Sequence, residues 1–313
     1  MPPERRMNAA GDHPDERVVE EIYEAMASRA FDRLFELVHE DVVITQDPAL
    51  PWGGRFEGHD GLATFALGLT GTIESQVTTQ AIAREGRPDE PGDVVQCGHT
   101  RGTVVATGVP FDVAEIHRWT IRDGRAVRAH FTIETAAMLT ALGAEAETCP
   151  VCGFVWSAVA REEVGARVVA ATRAVADELR SHSDDAVARR PEPTRWSALE
   201  YAAHMRDALY HLRDRFVIGL AEDAATFKPL YRDLRVELGL YRDDRREVVA
   251  TELELAADLF ARTFAVLDDA QLARPILYTY PAEQVRTLLW MGQHVVHELE
   301  HHRGDVEAGL RAG

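Results

Sequence analysis

Histidines are the residues whose types and spacing most directly suggest chemistry in this chain. Of 13 among 313 residues, six fall in two stretches of the second half. His294, His297, His301 and His302 lie in a helical pattern over residues 283–309, and His204 and His211 in another over 197–220. At about 100° per residue, His294, His297 and His301 fall within roughly 60° of one another, whereas His302 points elsewhere. His297 and His301 are one turn apart, so both imidazoles can reach a single ion. His204, which shares a helix face with Tyr201, Ala208 and His211, offers a third ligand from a facing helix. Neutral imidazole suits zinc, nickel, iron or copper, and three protein ligands leave one coordination position for water or substrate. The expected centre is a divalent ion, zinc or nickel, on His204, His297 and His301, with His294 as the fourth ligand if the site closes. The competing reading is that these histidines decorate solvated faces or fill polar gaps.

A second constellation lies in the first half. Phe111, Val113, Glu115, His117 and Trp119 alternate onto one face of a strand, and Arg128, His130 and Thr132 share a face of the next. A desolvated histidine–carboxylate pair can move a proton alpha to a carbonyl, because burial raises a carboxyl pKa toward neutrality. His117 and Glu134 are the expected pair, with His130 behind them and Asp47 at the mouth. The competing reading is a histidine hydrogen-bonded inside the fold without chemistry.

Cys149-Pro-Val-Cys152 is a single C-x-x-C, and Cys97 lies far away in a strand. A structural zinc normally takes four ligands, so this pair would hold one only if histidines or a second chain completed the set. The strand-then-helix context of a redox C-x-x-C is missing. The expectation is a joining turn, with Phe154 and Trp156 packed on the helices. Glu298, Glu300 and Asp305 can accept hydrogen bonds from imidazole N–H groups, although Glu300 reads as an exposed, solvated carboxylate.

The elements that position these residues divide the chain. Val18, Val19, Ile22, Tyr23 and Met26, then Phe31, Leu34, Phe35 and Val38, have helical spacing; a β-branched run follows at 42–45 and a third helix at about 60–69. From about 75 to 134 the period is two, with strands at 94–97, 102–105, 111–121 and 125–133 and turns at Thr107-Gly108 and Asp123-Gly124. That order predicts an α+β cone, a curved antiparallel sheet around helices with one open end suited to a small apolar molecule. Beyond it, helical stretches at about 159–182, 197–220, 244–268 and 283–309, separated by prolines, predict a four-helix bundle. Ser197-Ala-Leu-Glu200 reads as a capping box. The expected domains are 1–145 (core 15–143) and 159–313, joined by a linker over 146–158.

Composition narrows the function. A net charge of −18 repels phosphate backbones, so nucleic acid is not an expected partner. No apolar run is long enough to span a membrane, and Met1-Pro-Pro-Glu-Arg-Arg6 has no apolar run of a signal peptide behind it. Three cysteines fit a reducing cytoplasm, and a single lysine, Lys228, among 34 basic residues fits a GC-rich bacterial genome.

Three motifs in the second half carry a resemblance. Arg195-Trp-Ser-Ala-Leu-Glu-Tyr-Ala-Ala-His-Met-Arg-Asp207, His297-Glu-Leu-Glu-His-His-Arg-Gly-Asp-Val306 and Cys149-Pro-Val-Cys-Gly-Phe-Val-Trp156 resemble the DinB-like (DinB/YfiT) superfamily. The resemblance implies a four-helix bundle with metal on one second-helix histidine and an H-x-x-x-H pair on the fourth, positions that correspond to His204, His297 and His301. It also implies thiol-dependent transferase, isomerase or hydrolase activity, with mycothiol as co-substrate. Leu50-Pro-Trp-Gly-Gly-Arg-Phe-Glu-Gly58, Ile116-His-Arg-Trp-Thr-Ile-Arg-Asp-Gly124 and Ile133-Glu-Thr-Ala-Ala137 resemble the SnoaL-like branch of the nuclear transport factor 2 superfamily. That branch implies a cone that serves cyclases, isomerases and pure binding modules, and no cyclase aspartate matches here. The expectation is a metal-dependent enzyme with a small-molecule-binding cone, which could also gather two chains as a homodimer. Its alternatives are a binding protein with a structural metal, or cyclase or isomerase chemistry in the cone.

Overall fold

The computed structural model describes residues 13–85 and 92–311, so the opening Met1–Arg6 lies outside the described residues. The chain forms two compact units. The first runs to Glu145 and includes Glu222–Thr226 and Arg274–Arg286; the second comprises Ala146–Ala221, Phe227–Ala273 and the chain from Thr287.

In the first unit, α1 (Pro14–Ala27) starts at a capping box between His13 and Glu16 and buries Val19, Ile22 and Ala25 at helical spacing. Then come α2 (Phe31–Leu37), β1 (Val38–Gln46), β2 (Gly54–Glu57) and α3 (Gly58–Thr72). Four strands follow as a meander: β3 (Ile73–Arg84), β4 (Val94–Val104), β5 (Pro110–Arg122) and β6 (Arg125–Ile133), and α4 (Thr135–Ala141) closes the run. Their order is β2-β1-β6-β5-β4-β3. The sheet is mixed, not wholly antiparallel, because β1 pairs with β6 in parallel. Hairpin turns dictate direction only between consecutive strands, whereas α3 intervenes before the meander that brings β6 beside β1.

Strand β4 is continuous where the sequence suggested two pieces. Gly98 and Gly102 lie against the backbone of β3, and a Cβ at either would collide with the carbonyl oxygens of Thr78 or Glu74. The inner sheet face carries Phe111, Val113, Trp119, Phe131 and Ile133 into a core with Val19, Ile22, Trp52, Phe65 and Met138. The opposite face presents Val95, Cys97, Ala114 and Ile116, which Ala224, Leu277 and Val285 cover. Leu277 and Val285 belong to a three-stranded sheet that the sequence did not announce, and Ala224 precedes its first strand: β7 (Thr226–Phe227), β8 (Pro275–Tyr278) and β9 (Gln284–Thr287).

Four long helices dominate the second unit: α5 (Arg161–Ser181), α7 (Ala198–Ala221), α9 (Arg246–Ala265) and α11 (Leu288–Arg311). Short helices α6 (Asp184–Ala188), α8 (Arg232–Glu237) and α10 (Asp269–Leu272) lie between them. The capping box before α7 is formed: Glu200 N–H donates to Ser197 Oγ at 3.2 Å, and Ser197 N–H donates to Glu200 Oε2 at 2.8 Å. Helix α11 begins at Leu288, later than the stretch from 283, because the preceding residues pair as β9. Among the described residues no helix is long and apolar enough to cross a membrane.

Candidate metal centre

Helix α11 carries two adjacent ladders of one-turn pairs. His297 and His301 form one, and Glu298 and His302, rotated by about 100°, form the other. It is the second ladder that meets α7. His204 Nε2 lies 3.6 Å from Glu298 Oε2, and His302 Nε2 lies 3.5 Å from the same oxygen. One ligand atom from each of the three lies within 4.8 Å of the others. His204 is only 2% exposed, and among the described residues neither of its ring nitrogens has a hydrogen-bond partner. Trp196 and His302 set their rings edge-on to it, at centroid distances of 5.5 and 5.1 Å. Asp305 Oδ2 lies 2.9 Å from His302 Nδ1 and accepts its proton, which aims Nε2 at Glu298. A carboxylate behind an imidazole is the usual way a metal-binding histidine is oriented.

The first ladder faces a different segment. His297 and His301 come together with Cys149 and Cys152, again with one ligand atom of each within 4.8 Å. Phe154 and Trp156 pack on His297 at ring-centroid distances of 5.2 and 4.7 Å, the packing expected of them. His294 groups with His297 and Glu298; its Nδ1 accepts from Trp156 Nε1 at 3.4 Å, and its ring stacks on Trp290. His301, His302 and Asp305 form a fourth such group.

The three histidines assigned to one ion from sequence are thus placed in two groups, His204 in one and His297 and His301 in the other. The physical reason is the helix face that α7 meets: Glu298 and His302 are themselves an i,i+4 pair, a signal available in the sequence but passed over for the histidine-only pair. Glu298 lies between His204 and His302, within 3.6 Å of one imidazole nitrogen of each. Asp305 lies behind the imidazole of His302. Glu300 is half-buried and paired: it accepts from Arg167 Nε at 2.8 Å and Nη2 at 2.7 Å.

Burial and mutual charge set the protonation. Burial holds His204 below the ordinary histidine value. It drives His297 down to about 4, helped by neighbouring His294. Burial also works against charge on His302, yet Asp305 and Glu298 together push it up to about 9. Glu298 sits well below the carboxylate range; burial opposes this, but His204 and His302 prevail. The Cys149 thiol is likewise lowered, since the backbone N–H groups of Cys152 and Val151 outweigh burial.

In the first unit, His117 faces inward on β5, opposite Phe131 of β6. Tyr23 Oη lies 2.7 Å from its Nδ1, and Glu115 Oε2 lies 3.5 Å from its Nε2. Glu115, with no exposed surface, accepts from Gln96 Nε2 at 3.0 Å and from the Thr100 hydroxyl. Trp119 Nε1 donates to Tyr23 at 3.2 Å. Burial keeps His117 below and Tyr23 well above their ordinary values. The carboxylate beside His117 is therefore Glu115, which shares its strand face, and not Glu134. Glu134 follows the end of β6 as the N-cap of α4. His130 has the opposite parity to Phe131 and lies 2.8 Å from Thr45 Oγ1, so it does not back His117. Asp47 is exposed and caps its own loop, accepting from Ala49 N–H at 2.9 Å and from Thr135 at 3.0 Å.

Comparison with known proteins gives two family matches: a SnoaL-like domain over residues 19–129 and the DinB superfamily over residues 166–306. No curated protein matches the chain. Similar solved structures include a nuclear transport factor 2-like protein of unknown function from Burkholderia pseudomallei, 25% identical, covering 42% of this chain and 98% of its own, with a TM-score of 0.38. One from Burkholderia xenovorans is 19% identical, covers 42% and 98%, and has a TM-score of 0.37. One from Burkholderia thailandensis is 18% identical, covers 43% and 100%, and has a TM-score of 0.38.

Proposed function

The chain joins a SnoaL-like domain to a domain of the DinB superfamily, and from that premise we propose that it is a metal-dependent enzyme whose centre is His204, Glu298 and His302. One observation carries this reading: a buried imidazole on α7 with no hydrogen-bond partner for either nitrogen, set beside a carboxylate and a second imidazole on α11. Burying unpaired polar atoms costs roughly 1–3 kcal/mol each, and a bound cation removes that cost. A divalent ion on three protein ligands supplies Lewis-acid polarisation and lowers the pKa of a protic ligand at its open position. Asp305 holds the His302 ring so that Nε2 stays aimed at the centre. Trp196 and Tyr201 wall the site, excluding water around His204 and strengthening the electrostatic interactions there.

On the likeness to the DinB superfamily, the proposed chemistry extends to transfer, isomerisation or hydrolysis of a small electrophile, with a low-molecular-weight thiol such as mycothiol as co-substrate. The cone serves as the small-molecule-binding unit. Its polar line Trp119–Tyr23–His117–Glu115 is satisfied by its own members, which favours a positioning role over proton transfer.

Calorimetric titration of the full chain with Zn²⁺ or Ni²⁺, paired with turnover of electrophiles in the presence of mycothiol, tests this. Glu298→Gln and His302→Ala should each lose one bound metal and all turnover. Full metal binding in both variants would refute the assignment.

A further inference from the structure

We propose that Cys149, Cys152, His297 and His301 form a second, closed zinc site that clips the turn carrying the two cysteines onto helix α11. Two thiolates and two imidazoles are the donor set of a structural tetrahedral zinc centre, with bonds of about 2.3 Å to sulfur and 2.0–2.1 Å to nitrogen. Those bonds place neighbouring donors roughly 3.3–3.8 Å apart. Here all four donors lie within 4.8 Å of one another, and Cys149 Sγ is 3.9 Å from His301 Nδ1. Drawing them onto an ion takes only small side-chain adjustments.

The turn is built to present both sulfurs. Thr148 and Val155 bridge across it, Cys149 N–H donates to Phe154 O at 2.8 Å, and Gly153 N–H donates back to Cys149 O at 2.9 Å. Gly153 has φ of +75°, a conformation that glycine adopts without penalty. The x-x spacing then brings Cys152 round to the side of Cys149. Opposite them, both ring nitrogens of His297 are buried and, among the described residues, lack a hydrogen-bond partner. A joining turn held only by Phe154 and Trp156 explains neither these idle nitrogens nor two thiols beside them. A disulfide would use the sulfurs and leave His297 as it is. Zinc uses all four.

Four protein ligands leave no position for substrate, so this site is structural and chemically separate from the centre on His204, Glu298 and His302. No residue is shared between the two sets.

The test is cobalt titration of the reduced full chain, followed by electronic absorption. The expected result is two bound equivalents, one of them giving a sulfur-to-cobalt charge-transfer band and the intense visible bands of tetrahedral cobalt. Cys152→Ser, at an exposed position, should lose one equivalent and the charge-transfer band; His302→Ala should lose the other equivalent and keep the band. As a measurement independent of any variant, zinc should protect Cys149 and Cys152 of the wild-type chain from alkylation, and a chelator should abolish the protection. A wild-type chain with no charge-transfer band, or with alkylation unaffected by zinc, would overturn the proposal. An intact band with no loss of metal in His302→Ala would instead count against the catalytic centre alone.

Discussion

Each unit buries histidine, and the surroundings differ in a way that separates structure from function. His117 in the cone has a hydroxyl at one nitrogen and a carboxylate near the other, and the carboxylate is in turn held by Gln96 and Thr100. His204 and His297 in the bundle are also buried, yet none of their four ring nitrogens finds a hydrogen-bond partner among the described residues. Buried polar groups are normally satisfied, so an imidazole left idle points to a ligand supplied from outside the chain. The cone's histidine is part of its fold. The bundle's histidines are those on which the proposed metal sites rest.

Physical separation of the regions should produce the largest effect. Residues 1–145 expressed alone lack Ala224, Leu277 and Val285, which cover Val95, Cys97, Ala114 and Ile116. We expect self-association on size-exclusion chromatography or loss of a cooperative melt, because an uncovered apolar sheet face seeks a partner. A monomeric, cooperatively melting 1–145 would show the cover to be dispensable.

Glu115→Ala removes the buried carboxylate that accepts from Gln96 and Thr100 and lies 3.5 Å from His117. Denaturant unfolding should show a loss of about 3 kcal/mol, with or without zinc. His302→Ala should behave differently: the metal-free chain loses the ion pairs to Glu298 and Asp305, and in zinc part of the zinc-dependent stabilisation is lost as well. That stabilisation is about 2.7 kcal/mol for a site at 100-fold excess of free metal over Kd, and thermal melts in zinc and in chelator would measure it.

Acidification sharpens the comparison further. Burial holds His117 below its ordinary 6.5, so the unfolded chain takes up the proton first. Stability from the neutral form is complete above about 6.5 and lost as pH falls through the folded pKa. His117→Gln should flatten that part of the pH–stability curve; an unchanged slope would assign it to other groups. The smallest effect belongs to His204→Leu in the metal-free chain, expected within about 1 kcal/mol of wild type, because removing two buried unsatisfied atoms offsets the loss of the 3.6 Å contact with Glu298.

Much of this was legible in the sequence, and the exceptions share a cause. Apolar spacing located the four long helices, and Ser197 with Glu200 marked the start of α7. Period-two patterning located β5 and β6 and the inward face of His117. Period alone could not reveal β8 and β9, at four residues each, nor the parallel pairing of β1 with β6. The helix-face arithmetic set His302 apart from His297 and His301, and in the structure His302 groups with His204 and Glu298 and also with His301 and Asp305. What it lacked was which stripe α7 faces, and so it grouped His204 with His297 and His301, where the structure sets it beside Glu298 and His302. Cys149 and Cys152 alone offer two donors, and it is the fold that sets His297 and His301, about 150 residues away in the chain, beside them.

Anomalous diffraction at the zinc edge, on crystals of the zinc-loaded full chain, tests the central claim most directly. The account predicts two peaks, one within bonding distance of His204, Glu298 and His302 and the other among Cys149, Cys152, His297 and His301. A single peak shared by His204, His297 and His301, or no peak beside His204, would contradict it.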